Sequence, residues 1–214
     1  MQAIILAAGV GKRLKDFTDG LPKCLLKIGG RTILERQLEA LAGFDVVMVV
    51  GYKADLLRSL NPKFKYVLNP DYATTNTIHS LGLALNGKDT LVLNGDVVFD
   101  KKIIKLLDKP SCAAVEYKNV HPEEIQVVLD KKNGIIRIGK NINGQGEAIG
   151  IYRFSGKFCD ILKEQISKMD KNLYYEDAVD KILPMDFYAI DIGDLAAKEI
   201  DFKEDLEAAK SLNV

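Results

Sequence analysis

The stretch AIILAAGVGKRL, residues 3–14, sets the frame of the chain. Its first five residues are an unbroken apolar run, the pattern of a strand buried on both faces. A loop of glycines and basic residues follows over 9–23. Leu34, Leu38 and Leu41 then recur at helical spacing within 32–42, and VVMVV (46–50) reads as a second buried strand closed by Gly51. The alternation continues with a short helix over 54–60 and a strand over 65–68 ended by Asn69-Pro70. Ile78, Leu81 and Leu85 mark another helix, and 90–93 a third clear strand before the turn Asn94-Gly95-Asp96. Strands alternating with helices predict a doubly wound, mainly parallel sheet covered on both faces.

After residue 100 the pattern changes. A basic helix is expected over 101–109, then short strands over 112–117, 126–129, 135–138 and 149–154, with Asn133-Gly134 as a hairpin turn. Helices over 157–168 and 174–183, a strand over 187–192 and a terminal helix from about residue 202 complete the chain. This half reads as a small antiparallel portion laid beside the parallel sheet. No internal repeat, low-complexity tract or linker appears, so residues 1–214 are expected to form a single α/β domain.

Composition narrows the classes of function. For 214 residues, area scaling gives roughly 10,000 Å² accessible when folded against about 34,000 Å² unfolded, so a full core needs no disulfide or structural metal. Lys+Arg and Asp+Glu each total 30, and a neutral chain without a basic block is not built for nucleic acid. Cys24, Cys112 and Cys159 are an odd, scattered set and the histidines are His79 and His121, which argues against a disulfide framework or a zinc site. The start lacks the basic region and cleavage site of a signal peptide. No apolar run approaches the roughly 20 residues of a membrane helix, and KKIIKLLDK (101–109) reads as a solvated helix face. The expectation is a soluble cytoplasmic protein with no membrane insertion.

Four short segments carry chemistry. In LAAGVGKRL (6–14) two glycines let the backbone bend and expose N–H groups as an anion cradle, with Lys12 and Arg13 at its rim. Neither of two familiar phosphate motifs fits. A P-loop, G-x-x-x-x-G-K-S/T, needs glycine at Leu6 and a hydroxyl at Arg13, and the dinucleotide fingerprint needs glycine at Leu14. In LPKCLLKIGG (21–30), Pro22 fixes the backbone just before Lys23 and can aim that lysine. In VLNGDVVFD (92–100), Asp96 lies just past a buried strand, where open α/β sheets place ligands, and a carboxylate there suits Mg²⁺ against a triphosphate. Asp100 reads as the N-cap of the following helix. In EIDFKEDLEAAK (199–210), Asp201 and Glu204 fit the N-cap and N3 positions of a capping box, leaving one oxygen of Asp201 for metal. Each piece has a plain structural reading as turn, exposed lysine or cap; the four in order are far more specific.

LAAGVGKRL, PK, NGD and EID before the last helix resemble, over almost the full chain, the nucleotidyltransferases that activate phosphorylated sugars and alcohols. The resemblance is closer to the phosphocholine and inositol-1-phosphate cytidylyltransferases, through NPDYATTNTIHSLGLA (69–84), GKNINGQGEAIGIYRFS (139–155), NLYYEDAVDKI (172–182) and EIDFKEDLEAA (199–209). It implies a Rossmann-like α/β fold in which about 1–100 bind the nucleotide and about 101–200 the acceptor. It also implies transfer of a nucleotidyl group from an NTP, CTP in this branch, to a small phosphate monoester or phosphonate with release of pyrophosphate. The acceptor phosphate is already an anionic nucleophile, so no Ser-His or Cys-His pair is required and the protein's work is positioning and charge neutralisation.

By this resemblance, backbone around Leu6, Ala8, Gly9 and Gly11, with Lys12, holds base and phosphates, and Arg13 stabilises pyrophosphate. Lys23 neutralises the acceptor or α-phosphate, and Asp96 and Asp201 hold Mg²⁺, which Mn²⁺ can replace. Asn76 and Ser80, four apart on one helix, are candidate nucleotide contacts, with helix capping by Thr75 or Asn76 as the alternative. For the acceptor, Lys140 is a candidate phosphate contact and Glu147 a partner for a hydroxyl or cationic head, each otherwise an ordinary loop residue. Tyr174, Tyr175 and Glu176 are candidates for a cage around quaternary ammonium, with packing the stronger alternative for the tyrosines; the lack of tryptophan counts mildly against choline.

Competing readings are a sugar-1-phosphate uridylyl- or thymidylyltransferase, a molybdenum-cofactor guanylyltransferase, and a non-catalytic nucleotide-binding regulatory module. The last should show losses at Arg13, Lys23, Asp96 or Asp201, and all four are present. His79 and His121 are expected to be non-catalytic. The acceptor and the oligomeric state are not legible in the sequence.

Overall fold

β1 (Gln2–Ala7) runs through the middle of the main sheet, which is why it carries no polar face. Ala3, Ile5 and Ala7 pack into one core, and Ile4 and Leu6 into another on the opposite side. The computed structural model describes residues 1–61, 64–118 and 120–212. After the glycine loop come a small hairpin of β2 (Lys27–Ile28) and β3 (Arg31–Thr32), then α1 (Ile33–Ala40), begun by a Thr32/Glu35 capping box. β4 (Asp45–Val50), α2 (Ala54–Leu60), β5 (Lys65–Leu68), α3 (Thr77–Ala84) and β6 (Thr90–Asn94) complete the alternating half. β4 and β6 flank β1 in parallel, and β5 lies parallel outside β4. The order β5-β4-β1-β6 reverses between β1 and β6, and the crevice beyond the carboxyl ends of such strands is where open α/β sheets bind ligands.

β7 (Val97–Phe99), α4 (Ile103–Leu106), β8 (Cys112–Glu116), β9 (Gln126–Leu129), β10 (Ile135–Gly139) and β11 (Gly146–Phe154) follow. β11 is the seam of the molecule. It runs antiparallel to β6 on one side and β8 on the other, while its first residues pair with β9, which carries β10. Its register against β8 shifts between Ala148 and Tyr152, around Gly150 in left-handed backbone (φ 73°); a Cβ there would lie 2.8 Å from the Asn94 amide nitrogen. α5 (Gly156–Ile166) and α6 (Tyr175–Ile182) then cover the sheet, and β12 (Tyr188–Asp191) pairs parallel with β8. β13 (Ala197–Glu199) pairs antiparallel with β7, and α7 (Lys203–Ala209) closes the described chain.

One core takes Leu81, Leu162 and Val179 from α3, α5 and α6; the other takes Leu34, Leu57 and Ile103 from α1, α2 and α4. A third, smaller cluster of Leu14, Ile28, Ile33, Val98, Ile200 and Ala209 joins the segment after the glycine loop to β7 and α7. Each leucine, isoleucine or valine of this cluster contributes about 1.5–3 kcal/mol when fully buried, so the cluster holds the two ends of the chain together. The accessible surface is 10523 Å², near the area-scaling expectation. No helix among the described residues is long and apolar enough to cross a membrane.

The mixed α/β fold with a mainly parallel central sheet and a small antiparallel addition is the one the sequence predicts. The helix expected over 101–109 is shorter, Ile103–Leu106. Asp100 is not its N-cap, which is Lys102; it accepts the Lys102 N–H at 2.9 Å in the turn before the helix, while Leu107 turns into the core and Pro110 keeps Lys109 out of helical backbone. The pairing of β7 with β13 was not expected from sequence.

Candidate active site

A cleft of about 610 Å³ opens over the carboxyl ends of β1 and β6. One wall is the glycine loop. Gly11 there has φ 66°, and a Cβ on it would lie 2.8 Å from Lys23 Cγ, so glycine is required both for the turn and for the lysine's path. The next residues, Lys12–Phe17, form a 3₁₀ turn anchored by buried Leu14. Pro22 starts a second short turn, Lys23–Leu25, in which Cys24 points into the core and Lys23 into the cleft. Burial, with Asp96 nearby, pushes the Cys24 thiol up to about 12.

Lys23 Nζ lies 3.1 Å from Asp96 Oδ2 and also contacts Asp201 Oδ1. Burial alone would lower the ammonium's pKa, but the two facing carboxylates outweigh it and hold it well above the ordinary lysine range. Arg13 Nη1 reaches the other Asp201 oxygen at 2.7 Å, and its guanidinium stands 5.2 Å from the centre of the Phe202 ring. The capping expectation for Asp201 is corrected. α7 begins at Lys203, and it is Asp205 that accepts the Asp201 and Phe202 N–H groups, at 3.0 and 2.8 Å. The Asp201 carboxylate is therefore free to face the cleft.

Glu199 joins Asp96 and Asp201: one oxygen from each lies within 4.8 Å of the others. Its place in the cleft and the two neighbouring carboxylates push its carboxyl upward. Three oxygen donors at this spacing fit a hard divalent cation. Glu199 was not a sequence candidate, although the i, i+2 spacing in Glu199-Ile200-Asp201 was a usable signal, since alternate residues of an extended segment share a side.

Farther along the cleft, β8 and the loop after it bring Glu116, Lys118 and Glu124 against Glu147 of β11. Lys118 Nζ lies 2.6 Å from Glu147, 2.7 Å from Glu116 and 3.8 Å from Glu124. Burial raises the Glu147 carboxyl, opposed by Lys118. Lys140 Nζ stands 4.6 Å from the centre of the Tyr174 ring and 3.8 Å from Glu123. His121, an exposed loop residue, stands at the rim of this end.

Leu6, Gly9, Gly11, Lys12, Arg13, Lys23, Asn76, Asp96, Lys140, Glu147, Tyr174, Glu176 and Asp201 all border this one cleft. Asn76 also caps α3, accepting the Thr77 N–H at 2.8 Å. Three sequence candidates lie elsewhere. Ala8 is buried in the core, and its carbonyl accepts the Tyr52 N–H. Ser80 is buried and accepts from Asn69 Nδ2 at 3.1 Å. Tyr175 is fully buried, packs edge-on against Tyr152 and donates to Asn94 Oδ1 at 3.1 Å, so its face cannot form an ammonium cage. Glu176 touches the cleft but is itself buried, accepting the Tyr152 hydroxyl at 3.0 Å, and burial raises its pKa to about 7.

A parallel α/β sheet with a glycine-rich loop, an inward lysine and paired carboxylates at its strand ends defines a transferase built for nucleotide phosphates. The chain belongs to the MobA-like NTP transferase domain family, whose pattern matches residues 3–127, and it is a nucleotidyltransferase. It is 34% identical over 203 residues to the choline-phosphate cytidylyltransferase of Haemophilus influenzae, covering 87% of this chain and 84% of that one. It is 32% identical over 231 residues to the CMP-5'-(3-aminopropyl)phosphonate synthase of Streptomyces rubellomurinus, covering 94% of this chain and 37% of that longer protein. The chain spans about half the length of other relatives it matches. In fold it is similar to the CTP:phosphocholine cytidylyltransferase of Streptococcus pneumoniae, with a TM-score of 0.86 at 23% identity over 98% of this chain and 97% of that one.

Proposed function

We propose that this chain transfers a cytidylyl group from CTP to a small phosphorylated alcohol or phosphonate, giving a CDP-alcohol or its phosphonate counterpart and pyrophosphate. The observation that carries this reading is the convergence of Lys23, Arg13, Asp96 and Asp201 beside the glycine loop, in one cleft with Lys140, Glu147 and Tyr174. An acceptor oxygen attacks the α-phosphorus in line. One P–O bond forms, and the bond to the bridging oxygen breaks as pyrophosphate leaves with the electron pair.

Both reactants are anions, so the chain's residues act by placement and charge. Backbone N–H groups of the glycine loop hold the triphosphate, with Lys12 at the rim. Lys23 neutralises the oxygens around the α-phosphorus, and Arg13 pairs with the departing pyrophosphate. Asp96 and Asp201, joined by Glu199, hold Mg²⁺ or Mn²⁺, which supplies charge neutralisation and orientation of phosphate oxygens. Residues 1–100 serve the nucleotide and 101–200 the acceptor, within a single domain and in the cytoplasm. Around Lys118, the carboxylates of Glu116, Glu124 and Glu147 outnumber the ammonium, which favours an acceptor with a cationic head; the names of two relatives point the same way.

The test is pyrophosphate release with Mg²⁺, each of four NTPs being paired with phosphocholine, inositol 1-phosphate, 2-aminoethylphosphonate and glucose 1-phosphate. Release with CTP and a phospho-alcohol or the phosphonate supports the reading. Release with UTP or dTTP and glucose 1-phosphate replaces it with the sugar reading. Nucleotide binding without release from any pair defeats it in favour of a regulatory module.

A further inference from the structure

α1 presents Ile33, Leu34 and Gln37 to the interior. The first two are ordinary core side chains. A glutamine only 1% exposed is not, because a buried carboxamide must find partners. Its Nε2 donates to two carbonyls at once, those of Asn94 and Val97, each at 2.8 Å. These carbonyls stand on either side of Gly95-Asp96, the turn that carries one of the cleft carboxylates. The carboxamide oxygen finds no partner among the described residues. Flipping the amide would set that oxygen against two carbonyl oxygens, so the observed orientation is the one that joins the limbs of the turn.

Two further ties hold the same turn: the Gly95 N–H donates to Leu6 O at 2.9 Å, and Asp96 O accepts the Ile200 N–H at 3.0 Å. A Cβ on Gly95 would lie 2.6 Å from Leu6 O, so the turn is pressed against the end of β1. Of these three ties, that of Gln37 is made by a side chain and can be removed by substitution.

We propose that Gln37 is a positioning residue. It staples the Gly95-Asp96 turn from behind and so sets where the Asp96 carboxylate stands relative to Lys23 and Asp201. It touches no reactant. The kinetic part of this inference rests on the proposed function; the structural part rests on the hydrogen bonds alone.

The test compares Gln37→Met, which keeps length and burial but removes the donor, with Leu34→Ala, which weakens the core from the same helix while leaving the Gln37 hydrogen bonds to the turn in place. Both are measured where thermal melts show them folded. In Gln37→Met, amide exchange at residues 95–97 is expected to speed at least tenfold and Mn²⁺ to bind several-fold more weakly. Its kcat is expected to fall by 10- to 100-fold while KM for CTP stays near the wild-type value. Leu34→Ala is expected to leave all of these near wild type. Equal behaviour of the two variants, or unchanged exchange and Mn²⁺ affinity in Gln37→Met, overturns the proposal. If Gln37→Met does not fold, Gln37→Asn, too short to span both carbonyls, is read in the same way. A wild-type chain inactive with every donor and acceptor defeats the proposed function, while exchange and Mn²⁺ binding still decide the role of Gln37.

Discussion

Lys23 Nζ sits 3.1 Å from Asp96 Oδ2, so an ammonium delivered by the loop after β1 rests on a carboxylate delivered by the end of β6. The same ammonium also touches Asp201. The cation placed to meet a phosphate is thus held by the groups placed to meet a metal.

This arrangement makes Lys23→Ala informative in two directions. Turnover is expected to fall by about 10²–10³, the usual effect of losing a preorganised charge partner. Mn²⁺ affinity without nucleotide is expected to rise at least about fivefold, since a unit charge at 4 Å is worth about 1 kcal/mol even in bulk water. Pyrophosphate release and paramagnetic-resonance titration of Mn²⁺ measure the two effects. Weaker Mn²⁺ binding would show that Lys23 supports the carboxylates instead of competing for them.

Asp96→Asn and Asp201→Asn should each reduce turnover by about 10³ or more, because positioning and charge neutralisation are the main contributions available here. Circular dichroism should show an unchanged fold, since the apolar clusters do not depend on either side chain. Normal Mg²⁺-dependent turnover in both variants would eliminate the metal site.

Gly11→Ala combines left-handed backbone at φ 66° with a Cβ 2.8 Å from Lys23 Cγ. The backbone term is about 1–2 kcal/mol, which for a chain of this size lowers Tm by roughly 2–8 °C. Displacement of Lys23 should reduce kcat more than tenfold at temperatures where the variant is folded. Gly43→Ala, also in left-handed backbone (φ 91°) but outside the cleft and with nothing within 4 Å of its Cβ, should lose stability while retaining most activity. Equal losses of activity in the two variants would contradict the steric account.

Glu176 supplies a pH prediction. Its folded-state pKa, raised by burial to about 7, lies above that of an unfolded glutamate, so the folded chain binds the extra proton. Stability from this group is full below about pH 4, declines as pH rises through 7, and is lost above it. The span is at most on the order of 4 kcal/mol. Urea unfolding at pH 5 and pH 8 should show Glu176→Gln gaining stability over wild type at the higher pH. A constant difference between the two chains would refute the assignment.

The sequence by itself determined the strands that make the fold. Residues 3–7, 46–50 and 91–93 must be apolar on both sides because helices cover both faces of the central sheet. It also determined Arg13, Lys23 and Asp96 as site candidates, because glycine turns and a proline beside charged residues leave a local signature. Local spacing could not decide direction. Ser80 and Tyr175 stand at helical positions like those of site residues, yet packing of α3 and α6 on the sheet turns both inward. Asp201 has the spacing of a cap, but α7 starts later and Asp205 takes that duty. The spacing of Glu199 and Asp201 could pair the two on one side of an extended segment, but that this side meets the cleft follows from β13 pairing with β7, segments far apart in sequence. The third apolar cluster, which holds Leu14 against Ile200 and Ala209, brings the two ends of the chain together. That contact is a matter of complementary surfaces distant in sequence, so only the tertiary structure could place Asp201 beside Lys23.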